Sequence, residues 1–291
     1  MICVKLFGGL GNQLFQYAAA RQLADIHQTD LFFDLTWFES IPFGNTKRDF
    51  ELSNYNIKFN TLNGMDRLRC KLYGIRGLNK LSILPALPKK FRRYKEVGFN
   101  FEPIFLDLPD SSYLDGYFQS FKYFESIADQ IRNELTPVID YGELDLVVKS
   151  KIESVESVSI HVRRGDYVTS KASMKTLGVC DLDYYDRAIN EIGRRLGNPH
   201  FFIFSDDPAW SKENLNVPGS VTYVSHNSGP TAFQDIRLMS ICKHHIIANS
   251  TFSWWGAWLN KSQNKIVISP RKWFADGMSS ETLIPENWVQ L

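Results

Sequence analysis

Residues 157–167 read SVSIHVRRGDY, a short apolar strand that leads directly into two arginines, a glycine, an aspartate and a tyrosine. Further short apolar runs follow it and alternate with stretches of helical character. The predicted strands are 201–204, 221–224, 245–248 and 266–268, and the predicted helices are 184–196, 233–242 and 252–259. Short apolar strands separated by helices are typical of a doubly wound parallel sheet.

The first residues of the chain show the same alternation. Residues 3–7 predict a strand, 8–13 a tight glycine turn, 14–25 a helix and 31–35 a second strand. Residues 127–135 predict another helix, whereas 36–110 follow no regular pattern. We therefore predict an α/β chain with two Rossmann-like domains, residues 1–150 and 151–291, which face each other across a cleft.

The composition excludes several classes of protein. The chain has 291 residues, with 33 Lys and Arg against 32 Asp and Glu, a net charge of +1 that is atypical of a dedicated nucleic-acid binder. Its four cysteines are scattered, which predicts neither a zinc site nor a disulfide framework. No apolar run is long enough for a transmembrane helix, and the first residues predict a strand, not a signal peptide. These features favour a cytoplasmic enzyme.

Four polar clusters come directly after predicted strands. In open parallel sheets, ligands bind beyond the carboxyl ends of the strands, so these clusters are the candidate site. The clusters are Gly8–Gln13, His161–Tyr167, Ser205–Asp207 and Asn249–Ser253.

The cluster His161–Tyr167 is the most specific of the four. The guanidinium groups of Arg163 and Arg164 suit an anion with several oxygens, because arginine forms bidentate, charge-assisted bonds. Gly165 permits a close turn, and Asp166 can orient an arginine or act as a base. An Arg–Asp pair that merely secures a surface turn remains an alternative, as does an adhesion tripeptide at 164–166.

The other clusters also have simpler interpretations. The glycine turn can be a tight connection, since it departs from the dinucleotide-binding pattern. Ser250, Thr251 and Ser253 start a helix, where they can bind a diphosphate or only cap that helix. The three tryptophans that follow, Trp254, Trp255 and Trp258, fit a buried core better than a platform for sugars.

Two aspartate pairs raise the possibility of a metal ion. They are Asp206 with Asp207, and Asp181 with Asp183, the second of which matches the D-x-D of metal-dependent sugar transferases. Asp183, however, is well placed to cap the helix at 184–196, and arginines can neutralise a phosphate leaving group without a cation. His244 and His245 are adjacent on a strand and face opposite ways. We expect no metal and no other cofactor.

Taken together, four strings resemble the bacterial α-1,2-fucosyltransferases over nearly the whole chain. The strings are Gly8-Gly9-Leu10-Gly11-Asn12-Gln13-Leu14-Phe15-Gln16-Tyr17-Ala18, His161-Val162-Arg163-Arg164-Gly165-Asp166-Tyr167, Phe204-Ser205-Asp206-Asp207 and Asn249-Ser250-Thr251-Phe252-Ser253-Trp254-Trp255-Gly256-Ala257. The resemblance implies a GT-B-like fold with GDP-fucose bound mainly by the C-terminal domain. It also implies an acceptor-side N-terminal domain, a galactose-terminated glycan as acceptor, inversion at the anomeric carbon, no nucleic-acid partner and no required metal.

The resemblance also assigns roles to particular residues. His161 and Arg164 belong to the donor site; Arg163 would bind the diphosphate, Asp235 or Asp206 the guanosine, and Ser250, Thr251 and Ser253 the phosphates. Asn12 would reach the donor from the N-terminal domain. Asp166 is the first candidate for the base, although it could equally orient Arg163. Transfer of another GDP-sugar, or non-catalytic binding of a nucleotide sugar or glycan, remains an alternative.

The segment 66–95 differs from the rest of the chain in its charge. It has ten basic residues and a single acid, Asp66; the basic residues are Arg67, Arg69, Lys71, Arg76, Lys80, Lys89, Lys90, Arg92, Arg93 and Lys95. Such a run is either a solvated face or a contact with an anionic membrane, which would place the protein at the inner face of the bacterial membrane.

Overall fold

The computed structural model of the chain describes residues 1–39, 46–73, 92–169 and 171–291. It divides into two compact units, Met1–Thr136 and Pro137–Leu291, which we call the N-terminal unit and the C-terminal unit. Most of the basic segment 66–95 lies outside the described residues. Among the described helices, none combines the length and the apolar character needed to cross a bilayer.

The N-terminal unit is built on a parallel sheet with the strand order β3-β2-β1-β5-β4. Its strands are β1 (Ile2–Lys5), β2 (Leu31–Asp34), β3 (Asn60–Thr61), β4 (Arg92–Lys95) and β5 (Ser112–Asp115). Its helices are α1 (Leu10–Ile26), α2 (Thr36–Glu39), α3 (Gly64–Tyr73) and α4 (Ala128–Glu134). The glycine turn before α1 includes Gly8, whose φ of 79° is unfavourable for residues with a Cβ.

The C-terminal unit contains a second parallel sheet, with the strand order β11-β10-β9-β6-β7-β8. Its strands are β6 (Ser157–Val162), β7 (His200–Ser205), β8 (Ser220–Val224), β9 (His244–Ile246), β10 (Val267–Ser269) and β11 (Val289–Gln290). Its helices are α5 (Glu143–Ser154), α6 (Gly165–Thr169), α7 (Lys171–Thr176), α8 (Leu182–Leu196), α9 (Pro208–Asn214), α10 (Phe233–Ile241) and α11 (Thr251–Leu259).

The strand order of the C-terminal sheet is the doubly wound order of nucleotide-binding domains, with β6 as the first strand. The chain runs from β6 through β7 to β8, and then crosses to β9 on the other side of β6. The crevice for a ligand therefore lies beyond the carboxyl ends of β6 and β9. This architecture confirms the predicted pair of Rossmann-like α/β domains.

The boundary between the units differs from the predicted division at 150/151. Helix α5, which the prediction placed largely in the first domain, packs in the second unit against α10. The Asp145 carboxylate in α5 accepts hydrogen bonds from His226 and Asn227, both at 2.8 Å. These contacts fix α5 to the loop after β8, so the division falls between Thr136 and Pro137.

One predicted helix cap is also different. Asp181, not Asp183, is the N-cap of α8, and its carboxylate accepts a hydrogen bond from the Tyr184 N–H at 2.8 Å. Asp183 is in the first turn and pairs with Arg187 at 2.9 Å. Both aspartates of the D-x-D string therefore have structural partners.

Candidate donor site in the C-terminal unit

The candidate site lies where the loops after β6, β7 and β9 meet. Strand β6 pairs with β7 so that Val162 is opposite Ser205, and with β9 so that Ile160 is opposite Ile246. This register brings the predicted clusters His161–Tyr167, Ser205–Asp207 and Asn249–Ser253 to the same edge of the sheet. The fourth cluster, Gly8–Gln13, belongs to the N-terminal unit.

Arg163 is oriented by a carboxylate from the next strand. Its Nη1 lies 2.9 Å from Asp206 Oδ2, and its guanidinium carbon lies 5.3 Å from the centre of the Tyr167 ring. Asp206 Oδ1 also accepts a hydrogen bond from the Arg164 N–H at 2.8 Å. Gly165 permits this approach, because a Cβ there would lie 2.4 Å from Asp206 Oδ2.

Arg164 has different partners from Arg163, contrary to the expectation that both guanidinium groups face the same anion. Its Nε lies 3.2 Å from Asp207 Oδ2, and its guanidinium carbon lies 3.9 Å from the centre of the Trp210 ring. Asp207 itself caps α9, since it accepts from the Trp210 N–H at 3.2 Å. Arg164 thus ties the loop to α9, and Arg163 is the better candidate to meet an anion.

His161, the residue before the last in β6, is a neutral, buried side chain. It is 5% exposed, and its ring centre lies 5.6 Å from that of Phe252. Burial, reinforced by the positive charge of Arg163, lowers its pKa to about 3. His161 is therefore uncharged at neutral pH, which leaves the positive charge at this strand end to Arg163.

The loop after β9 is held by the buried side chain of Asn249. Its Nδ2 donates to the carbonyls of Leu177 at 2.8 Å and Trp273 at 3.1 Å. The backbone carbonyl of Asn249 accepts a hydrogen bond from the Tyr167 hydroxyl at 3.4 Å. The last bond joins the β6 and β9 loops. Asn249 thereby fixes the position from which α11 begins.

The three hydroxyls of this loop differ in their availability. Ser250 is the N-cap of α11 and accepts from the Phe252 N–H at 3.3 Å. Thr251, the first residue of the helix, is half-buried. Ser253 is fully buried and donates to the Ser250 carbonyl at 3.2 Å, so its predicted phosphate contact is replaced by a structural bond. At this helix start, Ser250 and Thr251 therefore remain the candidates for a phosphate contact.

A second polar group lies beyond the carboxyl end of β8. Asn227 Nδ2 donates to Asp145 at 2.8 Å and to Asp235 Oδ1 at 2.9 Å, and thus bridges two carboxylates. Burial, reinforced by the negative charge of Asp145, raises the pKa of Asp235 to about 7, although the bond from Asn227 opposes the rise. Asp235 was predicted, but its partner Asn227 was not, although Asn227 follows β8 as the other predicted polar residues follow their strands.

The remaining predicted residues are less closely defined. The side chain of Asp166 lies outside the described residues. Asn12 is in the N-terminal unit, and its amide oxygen accepts from Gln119 Nε2 at 3.0 Å. Within the described parts of the chain, no group of three or more His, Cys, Asp or Glu side chains is arranged to hold a metal ion.

Comparisons with known proteins agree with this arrangement. Residues 92–291 match the model of glycosyl transferase family 11. The Escherichia coli O-antigen biosynthesis glycosyltransferase WbnK is 36% identical over 98% of this chain and 99% of its own length. An alpha-1,2-colitosyltransferase of Escherichia coli is 33% identical over 100% of this chain and 99% of its own length.

A solved structure shares the fold at low sequence identity. A mutant of Arabidopsis thaliana FUT1, in complex with GDP, superposes with a TM-score of 0.53 at 10% identity, and covers 91% of this chain and 69% of its own. This likeness supports the GT-B-like architecture of two parallel-sheet α/β domains.

Proposed function

The chain belongs to glycosyl transferase family 11, and from this membership we propose that it moves fucose from GDP-fucose to O2 of a galactoside in α-1,2 linkage. The main observation behind the proposal is the Arg163–Asp206 pair. It lies beyond the carboxyl end of β6, where the strand order of the C-terminal sheet reverses, beside the start of α11. A preorganised guanidinium there suits the diphosphate of a nucleotide sugar.

In the proposed reaction, the acceptor hydroxyl attacks C1 of fucose from the side opposite GDP. The bond from C1 to the phosphate oxygen breaks, its electron pair stays with GDP, and the configuration at C1 inverts. Arg163 stabilises the charge that develops on the diphosphate, and the first N–H groups of α11 with Ser250 and Thr251 bind its oxygens. The acceptor loses its proton to Asp166 or, along a dissociative path, to the departing phosphate.

Asp235 is the group that we assign to guanine. An ionised carboxylate can accept both N1–H and the 2-amino group of guanine, and Asp235 has the bridging Asn227 to hold it in place. Asp206, the other candidate from the sequence, already accepts from Arg163 and from the Arg164 N–H. Asp206 is therefore a positioning residue for Arg163.

The pKa of Asp235 predicts a pH dependence of donor binding. GDP-fucose requires the ionised carboxylate, whose pKa near 7 in the free protein means that acidification protonates it and competes with guanine. We expect the affinity to rise by no more than about twofold above pH 7 and to fall up to about tenfold for each pH unit below it. Calorimetric titration of GDP-fucose between pH 6 and pH 8 measures this; Asp235→Asn should bind weakly and without the slope. An unchanged slope in Asp235→Asn would assign the titration to another group.

We further propose that the reaction needs no metal ion. The support is a guanidinium placed for the diphosphate and the structural partners of Asp181 and Asp183. Turnover should be unchanged after exhaustive treatment with EDTA. A steep loss that manganese or magnesium restores would show instead that a cation shares the charge of the leaving group.

Contact with an anionic membrane surface through the segment 66–95 is a separate proposal, supported by its charge. Some of this charge is offset locally, because Arg67 pairs with Glu39 and Arg93 with Asp115. Each remaining basic group near headgroups contributes about 1 kcal/mol. We expect salt-sensitive binding to phosphatidylglycerol vesicles that weakens when Lys89, Lys90, Arg92 and Arg93 are changed to Gln. Equal binding to neutral vesicles would indicate a merely solvated face.

The donor sugar leads to a second candidate function. One relative is named for colitose transfer, so a different GDP-sugar is the second candidate function. Incubation with a β-galactoside and either GDP-fucose or another GDP-sugar, followed by measurement of GDP release, separates the two. Release from GDP-fucose only in the presence of acceptor supports the proposal, whereas binding of the donor without transfer would indicate a non-catalytic protein.

A further inference from the structure

A strained turn follows β5, beside the central strand β1 of the N-terminal sheet, where the order of the strands changes direction. Strand β1 lies between β2 and β5, and the residues after β5 are Gly116–Gln119. In this turn Phe118 has a φ of 52°, a left-handed conformation that is rare for a bulky side chain, and it is fully buried. Strain of this kind is concentrated at ligand-binding positions, where the surrounding structure enforces it.

The turn is enforced by the buried carboxyl of Glu96, directly after β4. Glu96 Oε2 accepts hydrogen bonds from the N–H groups of Tyr117 at 2.7 Å and Phe118 at 2.9 Å. A Cβ at Gly116 would lie 2.4 Å from the Glu96 Cβ, so only glycine permits this approach. Burial raises the pKa of Glu96 to about 7, despite the two backbone donors.

The second carboxylate oxygen of Glu96 is less well satisfied than the first. Oε1 is buried and makes no hydrogen bond within the described residues. A buried carboxyl that is only half satisfied is unfavourable for folding. Its clear effect is to hold Tyr117 and Phe118 in place.

The turn presents Tyr117 to a cluster of half-buried rings. The Tyr117 ring centre lies 4.8 Å from that of Phe7, edge to face, and 5.8 Å from that of Phe99, stacked. Trp37 extends the cluster, with its ring centre 6.5 Å from that of Phe7. These four residues follow β1, β2, β4 and β5, so they all lie beyond the carboxyl ends of the strands.

The polar groups around these rings do not favour an anionic ligand. Lys5, whose ammonium lies 5.7 Å from the centre of the Phe7 ring, pairs with Asp115 at 3.7 Å. At the start of α1, the Leu10 N–H already donates to the Glu51 carboxyl. The nearby amides of Asn12 and Gln119 are uncharged. Aromatic faces beside amides fit a sugar ring, which has an apolar face and a rim of hydroxyls.

We propose that Phe7, Trp37, Phe99 and Tyr117 form a stacking surface for an uncharged sugar ring, and that this ring is the galactoside acceptor. The second part rests on the proposed function. Glu96 acts as a positioning residue, because it fixes the turn that presents Tyr117. All four residues belong to the N-terminal unit, whereas the residues assigned to the donor belong to the C-terminal unit.

Saturation-transfer NMR on the intact protein with lactose, a β-galactoside, and GDP in the same sample tests this assignment. The wild type should transfer saturation to the galactose ring protons and to guanine H8. Tyr117→Ala should reduce the galactose signal about tenfold and leave the guanine signal unchanged, whereas Tyr117→Phe should keep both. The control Phe32→Ala removes a half-buried ring near the amino end of β2 and should keep both signals.

The two ligands report separately on the two proposals. Absence of galactose signals in the wild type, or equal signals in Tyr117→Ala and the wild type, would overturn the stacking surface while guanine signals leave the donor site standing. A Tyr117→Phe protein as weak as Tyr117→Ala would also overturn it, because the ring is then not the binding group. Loss of the guanine signal in the wild type would count against the proposed function instead.

Discussion

Arg163→Ala is expected to lower kcat for fucose transfer by about 100–1,000-fold, which corresponds to about 3–4 kcal/mol of transition-state stabilisation. The guanidinium is held by Asp206 at 2.9 Å, so it needs little reorganisation when charge develops on the departing diphosphate. Steady-state kinetics with GDP-fucose and a galactoside measure the loss. The circular dichroism spectrum and the unfolding midpoint should stay close to those of the wild type.

Two further variants separate charge from geometry at this position. Arg163→Lys should restore little activity, because an ammonium group cannot form a bidentate contact with phosphate. Arg164→Ala is the matched control, since its guanidinium packs on Trp210 and pairs with Asp207 instead. Arg164→Ala should lower the free energy of unfolding and leave kcat close to that of the wild type. Wild-type turnover in a folded Arg163→Ala protein would remove Arg163 from the mechanism.

Trp254→Ala is expected to lower the free energy of unfolding by about 3–5 kcal/mol, as is typical when a buried tryptophan is truncated. Trp254 is fully buried, and its Nε1 donates to the Leu283 carbonyl at 2.9 Å. Its ring centre lies 5.1 Å from that of Trp255 and 5.7 Å from that of Trp288. Chemical denaturation followed by circular dichroism measures the change.

The same variant distinguishes a core role from a platform for sugars. Trp254→Phe fills most of the space but leaves the Leu283 carbonyl without its donor, so it should cost about 1–3 kcal/mol. Provided that they fold, Trp254→Ala and Trp254→Phe should both bind GDP-fucose and lactose as the wild type does. Unchanged unfolding in Trp254→Ala, combined with weaker lactose binding, would show that the ring is a sugar contact.

The buried strands β1, β2, β6, β7, β9 and β10 were predictable because each lies in a short apolar run with polar residues at its end, whereas the buried strand β5, which reads Ser112-Tyr113-Leu114-Asp115, was not predicted. Strand β6 has the predicted bounds, and β7 extends the prediction by one residue at each end. Strand β4 was missed because it reads Arg92-Arg93-Tyr94-Lys95. Among the described strands it lies at the edge of its sheet beside β5, so charged side chains there remain accessible to water.

The site could be predicted as residue types but not as contacts. Three polar clusters do meet at one edge of the C-terminal sheet, as strand order alone implies. The sequence does not show that Arg163 and Arg164 pair with different carboxylates, because their partners, Asp206 and Asp207, follow a different strand. The sequence also cannot show that the Ser253 hydroxyl donates its hydrogen bond to the Ser250 carbonyl. Such choices depend on register and burial.

The most direct test of the central claim is NMR analysis of the product formed from GDP-fucose and a β-galactoside by the purified protein. We expect GDP in equal amount to a new fucoside, with an α anomeric signal and a through-space contact from fucose H1 to galactose H2. Arg163→Ala should form almost none of it. Failure of the wild-type protein to transfer fucose to any β-galactoside, while it binds GDP-fucose normally, would contradict the account.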